Sequence, residues 1–87
     1  MHIIYIIYLL GVDEMRIINL DATGIKIITS DKKQMYLTLA EVRDFLDKKY
    51  NLTENILSLN NKKLILSEKD MDEFPSVVTY IENNFKN

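Results

Sequence analysis

Cysteine is absent from this chain, and with it any disulfide, thiolate nucleophile or cysteine-ligated metal. Histidine occurs once, as His2, so neither a histidine cluster nor a nucleophile–base–orienter set can be assembled. Two glycines, Gly11 and Gly24, cannot form a loop that cradles phosphate. Net charge is only −2, which excludes an overall pull toward nucleic acid or anionic membrane. The apolar run Ile3–Leu10 has eight residues, whereas a helix that crosses a bilayer takes about 20. No Lys or Arg precedes that run and Asp13-Glu14 follow it, so it does not read as a signal peptide. The expectation is a cytoplasmic protein with no membrane association, no metal, no cofactor and no catalytic residues.

Carboxylates are plentiful. They fall in the first turns of helices (Glu41, and Glu68, Asp70, Asp72, Glu73) or in loops, where the helix dipole and solvation account for them. A carboxylate-dependent enzyme is therefore the third reading of function. Composition also speaks of origin. Ile, Asn, Lys and Tyr make up 34 of the 87 residues, against seven for Gly, Ala, Pro and Arg. That bias follows AT-rich codons and suits a low-GC bacterium, its phage or an archaeal virus.

With 47% apolar and 28% charged residues, the chain reads as one globular domain over 1–87. The segment that sets the architecture is Ile3–Leu10. Its β-branched and aromatic content, ended by Gly11, marks a strand. Both of its faces are apolar, which predicts a strand in the middle of its sheet and covered on both sides. On an open edge such a strand invites aggregation. Gly11–Glu14 reads as a hairpin loop, Met15–Leu20 as a second strand, and Asp21–Gly24 as a type I turn closed by a left-handed Gly24. Ile25–Thr29 and Gln34–Leu37 complete a four-stranded antiparallel meander.

Thr38 and Glu41 form a capping box that opens a helix over Leu39–Tyr50, with Asn51 as its stop. Ile56–Leu59 and Lys63–Leu66 flank Asn60-Asn61 as a second, shorter hairpin. Pro75 suits a first helical turn, which places the last helix at Pro75–Phe85. The fold class expected is two-layer α+β: meander, helix, short hairpin, helix.

Two surfaces follow. One sheet face would carry Ile4, Ile6, Tyr8, Ile18, Ile28 and Tyr36, edged by Arg16 and Lys26. If the helices leave it uncovered, it is a protein interface, for a second copy or for another protein. The other is an end of the fold where Lys32, Lys33, Lys48, Lys49 and Tyr50 would gather to hold a nucleic-acid backbone. The first supports a small protein-binding regulator or inhibitor, of the kind phage and mobile elements carry as accessory proteins. The second supports a nucleic-acid-binding module as the alternative. A separate reading concerns the gene. Codons for Leu10–Glu14 accommodate a ribosome-binding sequence just ahead of Met15, which makes Met15 a candidate start.

Overall fold

The computed structural model describes the backbone of residues 5–8 and the whole of residues 14–85. Its elements are β1 (Tyr5–Tyr8), β2 (Arg16–Asn19), β3 (Ile25–Ile28), β4 (Gln34–Leu37), α1 (Leu39–Leu46), β5 (Asn51–Thr53), β6 (Ile56–Leu59), β7 (Lys62–Ile65) and α2 (Glu68–Phe85). All strand pairs are antiparallel, in two sheets ordered β1-β2-β3-β4 and β5-β6-β7. The class is α+β, as the sequence indicates.

Alternation decides which residues form the core. Met15, Ile17, Ile25, Ile27, Met35 and Leu37 point to one side of the larger sheet and are buried. They join one cluster with Val42 and Phe45 of α1, Leu57, Leu59 and Leu64 of the smaller sheet, Leu66, and Phe74, Val77 and Ile81 of α2. Each such side chain, withdrawn from water, contributes about 1.5–3 kcal/mol. Both helices and the second sheet thus pack on a single face of the meander.

The first strand departs from expectation. β1 lies at the sheet edge, paired with β2 alone among the described residues. A meander leaves its first strand outermost unless a later strand returns to flank it. Here the later strands form their own sheet, and β5, three residues long, adds a strand to the expected hairpin. The Gly11–Asp13 part of the expected loop lies outside the described residues.

α1 stops at Leu46 rather than Tyr50. Lys48 takes a positive φ of 64°, and its amide and that of Lys49 close back on the carbonyls of Phe45 and Asp44. This is a Schellman ending with lysine where glycine is usual. The early stop lets Tyr50 fold back and stack on Phe45, with ring centroids 4.4 Å apart; a continued helix would turn them away from each other.

α2 begins seven residues earlier than expected, at Glu68. Ser67 Oγ accepts from the Asp70 amide and Asp70 Oδ2 accepts from the Ser67 amide, a capping box with aspartate in the acidic place. Asp70 Oδ1 also accepts from the Ser30 amide at 3.1 Å, so one buried carboxylate fixes both the helix start and the β3–β4 turn. Pro75 sits inside the helix, where it withholds one amide from the Met71 carbonyl. The buried stripe Phe74, Val77, Ile81 outweighs that loss.

Candidate functional site

Register assembles the outer face of the meander in two rows. Ile6, Ile18, Lys26 and Tyr36 stand side by side across the four strands, and Tyr8, Arg16, Ile28 and Gln34 form the next row. Of the face residues expected from the sequence, Ile4 lies outside the described residues, and Ile6 and Tyr8 are placed by register alone. Ile18, Arg16 and Lys26 are half-buried, Tyr36 and Gln34 exposed, and Ile28 is buried without belonging to the main core cluster. The Tyr36 hydroxyl donates to the Thr23 carbonyl, which pins the ring across the sheet end.

The expected lysines sit as two separated pairs. Lys33 pairs with Asp31, Lys48 with Glu82 at 3.2 Å, and Lys49 with Asp44. Lys32 is exposed at the turn with φ 74°. Asp70, which holds Ser30 beside that turn, and Glu82, which holds Lys48, are twelve residues apart on α2, roughly 18 Å of helix. Tyr50 packs in an aromatic trio with Phe45 and Phe74.

A lysine outside that set has the most built surroundings. Lys62 Nζ lies 2.5 Å from Glu41 Oε1, donates to the Tyr36 carbonyl at 2.6 Å, and stands 5.1 Å over the Tyr36 ring. It thereby ties β7 to β4 and α1. Glu41 also accepts from the Thr38 amide and from the Asn60 side chain. Its place in the capping box is readable from sequence, but its bond to Lys62, 21 residues away, is not. Lys62 above all, then the Thr38 amide and Asn60, hold the Glu41 carboxyl at about 2, below its ordinary 4.5, against burial that pushes it up.

In acid, the folded protein therefore binds fewer protons than the unfolded chain. The stabilisation is complete above about pH 5 and drains away as pH falls toward 2. It is worth on the order of 2 kcal/mol. Urea titrations are expected to show Glu41→Gln less stable than wild type at pH 6, with the gap roughly halved at pH 3 and closing as pH falls toward 2.

The acids of α2 are not all solvated, contrary to the sequence reading. Asp70 and Glu73 are buried, while Glu68 and Asp72 are exposed. Glu73 Oε1 accepts from the Met15 amide at 2.8 Å. Among the described residues, no group of three His, Cys, Asp or Glu side chains could hold a metal ion, and no helix is long and apolar enough to cross a membrane. A groove of about 490 Å³ runs between α1 and the end of α2, floored by Val42, Leu46 and Phe85 and rimmed by Arg43 and Glu82.

Comparison with family models, with curated proteins and with solved structures found no match to this chain.

Proposed function

We propose that this domain is a non-enzymatic protein-binding regulator or inhibitor that engages its target through the outer face of the meander. One observation carries the reading: both helices and the second sheet pack on the opposite face. The remaining face offers half-buried Ile18 and exposed Tyr36 in one row with Lys26 between them, next to the already buried Ile28. An interface of this make-up wants a partner with an apolar centre and an acidic rim. Two copies facing each other would oppose like charges, so a different protein is the better occupant and a homodimer the second.

The test is capture of a partner from cell lysate by wild type, Ile18→Lys, Lys26→Glu and, as a control on the far side, Glu54→Gln. A protein retained by wild type and the control is expected to be lost at least tenfold with either face variant. Binding should survive a rise from 50 to 500 mM salt with little change, as apolar contact does; a steep fall would favour phosphate contacts and the nucleic-acid reading instead. Light scattering on the same samples reports self-association. A strict monomer whose captures are indifferent to Ile18 and Lys26 defeats the proposal.

A further inference from the structure

Asp70 and Glu73 are both buried on the same face of α2, yet they are treated differently. Each oxygen of Asp70 accepts a backbone amide. Glu73 has only the Met15 amide, on Oε1; its Oε2 is buried with no hydrogen-bond partner. Beside it, Glu14 Oε1 is buried and unpartnered too, although Oε2 reaches Lys69 at 3.0 Å. A neutral amide is a poor match for a buried carboxylate, because it brings one donor and no charge. The atom that touches Glu73 is nevertheless a backbone nitrogen, and it belongs to a methionine.

We propose that a form of this protein is initiated at Met15, and that its α-ammonium is the buried counter-charge of Glu73. A chain that starts there replaces one N–H by three and adds a full positive charge at the same 2.8 Å contact. The two oxygens of a carboxylate are close together, so the added donors come within reach of Oε2. Such a chain lacks Glu14, which removes the second unpartnered oxygen, and Lys69, half-exposed, returns to water. Thus one change answers two of the buried polar atoms left unpaired. The Met15 side chain belongs to the main core cluster with Ile17 and Ile25, which anchors the new terminus to the fold next to Glu73. The inference does not rest on the binding reading, since Ile18, Lys26, Ile28 and Tyr36 all follow Met15.

The experiment uses the gene with its own upstream region and a C-terminal tag. The product's intact mass is expected to begin at Met15, and a stop codon in place of His2 is expected to leave its yield unchanged. A mass that begins only at Met1, or loss of the product with that stop codon, overturns initiation at Met15. The charge pair has its own readout. Glu73→Gln is expected to lower the melting midpoint of the Met15 product by about 5 °C or more, and to leave the chain that begins at Met1 unchanged or more stable. An equal effect in both lengths overturns the ammonium–Glu73 pair.

Discussion

Gly24→Ala is expected to leave little folded protein at 37 °C, with a loss of about 4 kcal/mol or more in urea unfolding. Gly24 has φ 130° and ψ −149°, a backbone region essentially closed to other residues, where strain alone costs about 1–3 kcal/mol. Space is the second obstacle. A Cβ there would stand 2.0 Å from the Leu37 carbonyl oxygen and 3.0 Å from the Thr38 Cα. Neither can retreat. Leu37 is paired with Ile25 in the β3–β4 ladder, and the Thr38 carbonyl already accepts the first helical bond of α1 from Val42. Total stability of a small domain is about 5–15 kcal/mol, so this one methyl removes a large share of it. A variant with unchanged urea midpoint would show that the close approach of Gly24 to β4 is wrong.

Phe45→Ala is expected to cost about 3–5 kcal/mol. Phe45 is 2% exposed and meets two other rings, stacked on Tyr50 at 4.4 Å and edge-on to Phe74 at 6.2 Å. The cavity opens where α1, the chain leading into β5, and α2 all converge, so no single element can move in to fill it. Phe45→Leu keeps most of the volume and is expected to cost about 1 kcal/mol. Near-ultraviolet circular dichroism gives a local check, because Tyr50 loses its stacking partner in the alanine variant. If both substitutions cost the same, the rings are not packed as described.

Much of this fold can be read from local signals. The β2–β4 alternation, the Thr38–Glu41 capping box and the Asn60 turn each depend on residues a few positions apart, and each is found where the sequence indicates. The misreadings share a cause: a distant partner decides. α1 ends early because Tyr50 goes to Phe45 and Phe74. α2 starts early because Asp70 serves Ser30 as well as its own helix, which makes Ser67 a stronger start than Pro75. Apolarity alone places Ile3–Leu10 mid-sheet, whereas chain order puts β1 outermost. The face residues could be grouped from alternation, but whether helices cover that face depends on how the second half folds over. Glu73 gives no local sign of burial, since its neighbour Asp72 has the same charge and stays exposed.

Every strand in both sheets pairs with the strand beside it in the chain. Among the described residues no ladder waits for a distant segment to arrive, so loop closure between their strands is short. Such a topology belongs with the quicker mixed α and β folders. Each sheet can zip from its own hairpins, and the two halves then need only dock through the Lys62–Glu41, Asp70–Ser30 and Glu73–Met15 contacts.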